Sequence, residues 1–458
     1  MAATPAPRAS DSPAAPPAAD PPASPRDVRL FWWASTADAL GTQTSGIVLP
    51  LLLLTLGYSP AAVGLIAGAS AAFGLVLGPL AAVPADRGAR KTVMLWSAGL
   101  AALAMATVSV MVAMGRPPLV LLLCAVLVER LCTAAYDAAA RGTVAMICPP
   151  EGYPRLVARL QVGDNAALVL GPVLGGALYQ LGRAWPFVVD ALSYAATAVC
   201  VGFMRADLRA DPRAAAGAGP AAAPTDRPAD GEHGTARPGP SPEGPDPRAR
   251  RLRRAALLTE AGAGLRLVGT TPLLRLVTLW TAVVNGALSA LYFGVLFFLE
   301  RDGHSGSATG LVLAVSGAAG IAGALAAPAL AVRLGAARTF LAVTWLLVPL
   351  AAGLAAARSP WAFAALFGGV CLILPCATVV LQSRTIATTP PHLQARAGAV
   401  LAAAAGGAAA VGPAAAGLLA ARAGSAGPAL GCTAALIALA VYTGWAHPRT
   451  LKNTGSTS

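Results

Sequence analysis

Gly78-Pro79-Leu80-Ala81-Ala82-Val83-Pro84-Ala85-Asp86-Arg87-Gly88-Ala89-Arg90-Lys91 places four charged side chains between two long apolar runs, at about residues 60–82 and 92–114. A helix crosses the bilayer hydrocarbon with about 20 consecutive apolar residues, and each run is that long. Only a helix or a closed barrel satisfies its backbone in lipid. The segment therefore reads as the polar turn of a helical hairpin that crosses a membrane twice.

The same reading extends along the chain. Further apolar runs fall at about 30–54, 118–138, 158–180 and 184–204, and a second set at about 273–299, 308–331, 337–357, 360–383, 396–421 and 424–446. Of the 458 residues, 56% are apolar and 12% charged, against roughly 25% charged in a soluble domain. An ordinary soluble enzyme is excluded. The expected fold is an all-α membrane protein of twelve helices in two six-helix bundles, residues 28–204 and 255–446. Residues 1–27 read as a disordered tail without a signal-peptide apolar region. Residues 205–254, rich in Pro, Ala, Gly and Arg, read as a disordered linker. Residues 251–270 read as an interfacial amphipathic helix leading into the second bundle, and 447–458 as a second tail.

The net charge of +13 has a topological meaning. With the N-terminus inside, the outer loops carry Arg116, Arg183, Arg301, Arg358 and Arg422, and 27 of the 33 basic residues lie on the inner side. Without the twelve between Arg205 and Arg275 the inner count is still 15. Basic loops stay in the cytoplasm, so both termini are expected there, in the plasma membrane. The charge does not indicate nucleic acid. The seven cysteines form no CxxC pair and read as small apolar residues rather than disulfides or metal ligands. No phosphate-binding Gly-x-x-x-x-Gly-Lys loop, catalytic constellation or metal site stands out, so neither an enzyme nor a cofactor is expected.

The two halves repeat. Trp33 and Trp280 are 247 residues apart, as are Asp38 and Asn285; Gly64 and Gly310 are 246 apart, as are Arg87 and Arg333; Gly171-Pro172 and Gly412-Pro413 are 241 apart. Six helices per half give both halves one orientation, the parallel repeat of transporters that rock two bundles about a midplane site.

The 78–91 segment resembles the signature loop between helices 2 and 3 of the major facilitator superfamily. Its weaker echo is Val332-Arg333-Leu334-Gly335-Ala336-Ala337-Arg338, which has lost the acid. The resemblance implies a cytoplasmic gate of Asp86, Arg87, Arg90 and Lys91. In it Asp86 caps a neighbouring helix N-terminus and Arg90 pairs with Asp137. Gly171-Pro172-Val173-Leu174-Gly175-Gly176 resembles the helix-5 motif of superfamily antiporters, which marks exporters; its small residues permit close helix approach. Asp137 to Arg141, Pro149-Pro150-Glu151, and Asp190-Ala191-Leu192-Ser193-Tyr194 together resemble the macrolide-efflux-like drug:proton antiporter branch.

Ionisable residues inside a membrane are costly and mark function. Asp38 lies about 12 Å inside the inner boundary at 1.5 Å per residue, and Glu129 and Arg130 lie at a similar depth. A carboxylate holds its proton when buried and releases it beside a guanidinium. Asp38, Glu129 and Arg130 are therefore the proton-coupling candidates, through an encounter of Asp38 with Arg130 or Glu129. Glu129 and Arg130 themselves point about 100° apart on the helix and are not expected to be each other's main partner. Gln43, Asn285, Tyr292 and Gln382 are substrate-cavity candidates in a mostly apolar cavity suited to amphipathic compounds. The resemblance implies a monomeric proton-driven exporter of a drug, antibiotic or siderophore. Its partners would be a small-molecule substrate, protons and the lipid bilayer. An importer or uniporter of the same fold, or a membrane scaffold or sensor, are the alternatives.

Overall fold

A computed structural model describes residues 25–86, 89–115, 117–149, 152–206, 208, 266, 268–389 and 391–450. Most of the expected linker and amphipathic helix, and residues 1–24 and 451–458 of the tails, lie outside these. The described residues form twelve long helices and no strand. They are α1 (Pro25–Thr55), α2 (Pro60–Asp86), α3 (Arg90–Ala113), α4 (Leu119–Ile147), α5 (Tyr153–Leu181) and α6 (Trp185–Phe203). The second set is α7 (Pro272–Arg301), α8 (Gly306–Leu334), α9 (Ala336–Ala356), α10 (Pro360–Thr388), α11 (Pro391–Ala423) and α12 (Gly427–Thr450). All twelve contain a stretch long and apolar enough to cross a membrane.

Two boundaries differ from the sequence reading. The last helix runs to Thr450, past the expected end at 446. The first begins at Pro25, inside the expected tail. Proline fits the first helical turn, where its missing N–H costs nothing. Asp27 follows in that turn and is only 2% exposed. Its two carboxylate oxygens accept the backbone N–H groups of Arg205 and Ala206, each at 3.0 Å. The start of α1 is thereby tied to the chain leaving α6.

At the face opposite the two chain ends, local chemistry stops and restarts the helices. Ser59, Ser305 and Ser359 each accept an N–H three residues ahead, at the starts of α2, α8 and α10, a capping contact that uses an otherwise orphan donor. Before two of these starts stand Gly57 and Gly303, at φ +90° and +72°. The next residue donates to the carbonyl five residues back, Tyr58 to Leu53 and His304 to Leu299. This left-handed termination needs glycine, and the repeat has kept it in both halves.

Packing follows the repeat too. In the first bundle α1 lies on α5 and α6, α3 on α4 and α6, and α2 on α4. In the second, α7 lies on α11 and α12, α9 on α10 and α12, and α8 on α10. The bundles meet where α2 crosses α11 and α5 crosses α8. At these crossings backbone meets backbone. A side chain on Gly64 would overlap the Pro413 carbonyl, and one on Gly310 would overlap that of Pro172. Gly417 likewise abuts Pro60, and Gly176 abuts Gly306. All these contacts lie toward the far face, which they close. Toward the face of the chain ends the crossing helices diverge. The space around Gly74 and Gly398 is open, and Val157, Val162, Leu325 and Val332 are exposed. The structure is shut at one face and open at the other.

Two outcomes follow from these contacts. Gly310→Ala forces α8 off α5, an overpacking that costs about 1–3 kcal/mol, so the purified protein should melt a few degrees lower. Gly99→Ala, in open space, should not melt lower; equal midpoints for the two would reject the close-contact account. Asp27→Ala strands two N–H groups at about 1–3 kcal/mol in all. Limited proteolysis should then cut near residues 205–208 faster than in Asp27→Asn, which keeps one acceptor.

Candidate functional site

Three cavities lie along the open path. A vestibule of about 560 Å³ is walled by α1, α4 and α5 and holds Asp38, Asp137 and Asp164 beside a single Arg141. A central cavity of about 640 Å³ is shared by both bundles. Its wall is largely apolar, with Tyr292, Phe293 and Phe367, and its polar groups include Gln43, Arg130, Asn285 and Ser289. A third cavity, about 470 Å³ between α7, α10 and α11, is lined by Thr281, Asn285, Thr378, Gln382, Thr385 and Gln394 among others. The first and third occupy matching places in the repeat, one acidic and the other neutral. Gln43 borders both the vestibule and the central cavity; Asn285 borders the central and third cavities. Gln382 lines only the third, because its place on α10 is nearer the chain-end face than the central cavity reaches.

Between vestibule and central cavity stands Glu129, 6% exposed. Its Oε1 accepts the Tyr194 hydroxyl at 2.8 Å and the Thr133 hydroxyl at 3.1 Å. Its Oε2 lies 3.7 Å from Arg130 Nε. This corrects the expectation that adjacent Glu129 and Arg130 would not be partners. Their Cβ directions differ, but the long arginine side chain folds back while its head lines the central cavity. Asp38 is nearly buried, lines the vestibule, and forms no ion pair among the described residues. Its charged neighbours are other acids, Asp137, Asp190, Glu129 and Asp164. The structure thus brings Glu129 and Arg130 together and leaves Asp38 apart from the arginine.

The latch of Arg90 to Asp137, which must break when the gated side opens, is not made in this open conformation. Asp86 ends α2, but its side chain and the whole of Arg87 lie outside the described residues. Arg90 donates to the Gly142 carbonyl at 2.9 Å and contacts Met146 Sδ instead of pairing with Asp137, whose basic neighbour is Arg141. Glycine at 142 leaves α4 bare where the guanidinium rests. Lys91 donates to the Met204 carbonyl at 2.6 Å. Both cations therefore bind within their own bundle. In the helix-5 motif, Gly171 abuts Gln43, Gly175 abuts the Thr44 carbonyl, Gly176 abuts Gly306, and the Pro172 carbonyl meets Gly310.

Sequence reasoning assigned no role to Tyr194 or Thr133 as individual residues. A signal was present: Asp190, Ser193, Tyr194 and Thr197 are spaced i, i+3, i+4, i+7 and share one helix face. That face turns to α1 and α4. Tyr194 reaches Thr42 at 3.1 Å and Thr133 at 3.4 Å, and Thr197 donates to the Ala34 carbonyl. Asp190 is fully buried against Gly41.

Residues 31–385 match the family described as Major Facilitator Superfamily. The chain belongs to the major facilitator superfamily. Solved structures agree on the superfamily fold. A bacterial homolog of the human lysosomal transporter Spinster, inward-facing and unoccupied, is 15% identical with a TM-score of 0.65, covering 95% of this chain and 100% of that one. A bacterial homologue of the iron transporter ferroportin, in an inward-facing state, is 14% identical with a TM-score of 0.62, covering 91% and 98%. The nucleoside transporter NupG is 12% identical with a TM-score of 0.64, covering 93% and 100%. None of the curated proteins compared matches the sequence. The chain is a multi-pass membrane transporter of this superfamily.

The Glu129–Arg130 pair makes a sign-specific prediction. Removing one partner of a largely buried pair leaves the other uncompensated, and removing both can restore what was lost. Arg130→Gln should destabilise by about 1–3 kcal/mol, reduced by the partial exposure of the arginine. Glu129→Gln/Arg130→Gln should recover most of the melting temperature; a double variant no better than the single would remove the pairing from the account.

Proposed function

We propose that this transporter exports a small amphipathic organic compound, of the drug, antibiotic or siderophore kind, in exchange for protons. The observation that carries the reading is Glu129. It is a nearly buried carboxylate between an acidic vestibule and a largely apolar central cavity, with an arginine on the cavity side. Such a carboxylate takes up a proton when its ion pair opens and gives it up when the pair re-forms. The helix-5 motif, packed against α1 and α8, supports exchange over uniport, by its resemblance to antiporters.

With both termini in the cytoplasm, as the basic loops favour, the open face is cytoplasmic and the structure is inward-facing. The substrate's apolar body fits among Tyr292, Phe293 and Phe367, and its polar groups reach Gln43, Asn285 or Arg130. Asp38 offers the vestibule a second proton site. The loop of Asp86, Arg87, Arg90 and Lys91 closes the cytoplasmic side in the opposite state, when Arg90 leaves Gly142 for Asp137. The bundles rock about the central cavity, and the unit works as a monomer in the plasma membrane. One proton supplies about 2.3 kcal/mol per 100 mV and about 1.4 per pH unit. One pH unit alone drives about a tenfold export gradient, and 100 mV alone a larger one.

Everted vesicles acidified by respiration, with a pH-sensitive dye, test this. Macrolides, tetracyclines, cationic dyes and siderophores are added in turn. A substrate should dissipate the gradient in vesicles containing the wild type and do so at least tenfold more slowly with Glu129→Gln. An equal response in Glu129→Gln and Asp38→Asn would place proton exchange elsewhere. Uptake of the compound with the proton, rather than against it, would reverse the direction to import.

A further inference from the structure

We infer that the hydroxyls of Tyr194 and Thr133 relay protons between Glu129 and the vestibule, so that in this conformation Glu129 exchanges protons with the open face only. The inference rests on the proton-exchange reading and names the route that reading needs.

Glu129 does not line the vestibule, and neither does Tyr194, which is 1% exposed. The hydroxyl-bearing residues Thr42 and Thr133 do. Tyr194 Oη donates to Glu129 Oε1 at 2.8 Å and lies 3.1 Å from Thr42 Oγ1 and 3.4 Å from Thr133 Oγ1. A hydroxyl both donates and accepts, so each link can run in either direction. A proton entering from the vestibule adds to Thr42 Oγ1, whose own proton passes to Tyr194 Oη. The phenolic proton of Tyr194 passes to Glu129 Oε1. One proton has then moved from vestibule to carboxylate, and each hydroxyl again carries one.

The opposite route is closed chemically. On the central-cavity side the neighbour of Glu129 is Arg130, which does not lose its proton in proteins and cannot hand one on. Other titratable groups face the site from each packed element. They are Asp38 from α1, Arg130 and Cys132 on α4 itself, and Asp190 from α6. Asp164 of α5 stands farther out in the vestibule. Between 60 and 80 of α2 and between 92 and 113 of α3 the sequence has no charged residue. None of these replaces the hydroxyls: Thr133, which lines the vestibule, also donates directly to Glu129 Oε1 at 3.1 Å, so two hydroxyl routes reach the carboxylate, one through Thr133 alone and one through Thr42 and Tyr194.

The test needs no substrate. The full-length protein in lipid nanodiscs is given a rapid pH drop, and the carboxylic-acid C=O band is followed by time-resolved infrared difference spectroscopy. Glu129→Gln identifies the band. Tyr194→Phe/Thr133→Val removes both oxygens that touch Glu129 Oε1; the band should form at least tenfold more slowly and at higher frequency, having lost its hydrogen bonds. Thr42→Val/Thr133→Val should slow it comparably while leaving Tyr194 in place, and carries the test if the phenylalanine variant does not fold. Equal rates in wild type and Tyr194→Phe/Thr133→Val would overturn the relay and leave proton exchange at Glu129 standing. If no Glu129 band follows the pH drop in wild type, relay and proton-exchange reading fall together.

Discussion

The arrangement depends on two backbone crossings. Gly310 of α8 lies on the Pro172 carbonyl of α5, and Gly64 of α2 lies on the Pro413 carbonyl of α11. The glycines are 246 residues apart and the prolines 241, so one contact has been made twice about a pseudo-twofold axis. Lipid offers no hydrophobic force between helices; close packing of small residues supplies the attraction. The secondary contacts repeat as well, Gly176 on Gly306 and Gly417 on Pro60, Gly171 on Gln43 and Gly412 on Ser289. The contacts of Gly171 and Gly412 lie within each bundle; because those between the bundles lie toward the far face, the bundles are held together there and free to part at the other face. The open path is the other side of the same constraint.

The repeat keeps its backbone contacts and lets its polar groups diverge. Asp38 and Asn285 hold matching positions and both border a cavity, yet one faces acids and the other donates to the Thr281 carbonyl. Trp33 is 58% exposed, whereas Trp280 is buried and donates to Thr344. The acids of the open path are thereby gathered in the first bundle, and amides and hydroxyls in the second. In the proposed exchange cycle this divides the labour: the first bundle handles protons, and the second offers neutral hydrogen-bonding groups.

Much of the fold was legible because it is written in long-range regularities. Twelve apolar runs, an even count per half, and offsets near 246 and 241 required no side-chain geometry. The helix-5 motif was legible as close packing, though its partners on α1 and α8 were not. Side-chain direction was less accessible. The 100° step between Glu129 and Arg130 describes Cβ atoms, while a guanidinium on a four-bond stem reaches back across it. The Arg90 contact turns on a glycine at 142, whose missing side chain has no periodicity to detect. Asp27 lay in an apparently disordered composition, and its partners are backbone groups nearly 180 residues away. Tyr194 was readable only as one member of a face whose neighbour the sequence did not identify.

In the proposed exchange, magnitudes bear on how proton and substrate share the work. Two unit charges about 4 Å apart attract by about 1 kcal/mol in water and about 4 kcal/mol at an effective dielectric of 20. Glu129 and Arg130 fall between these limits, since the arginine side chain is 42% exposed and the glutamate 8%. Converting a transporter from almost wholly one state to almost wholly the other takes about 5.5 kcal/mol. Neutralising Glu129 alone is therefore too weak to throw the equilibrium. It does release Arg130 into the wall of the central cavity, where the arginine meets whatever occupies that space. Gln43 lines the same cavity, at once a cavity wall and the surface on which Gly171 rests. In the proposed exchange, a proton at Glu129 and a substrate in the central cavity would both act on Arg130. The two act on alternate strokes, the proton on one and the substrate on the other, and a transition that needs one of them but never both is what keeps exchange coupled rather than leaky.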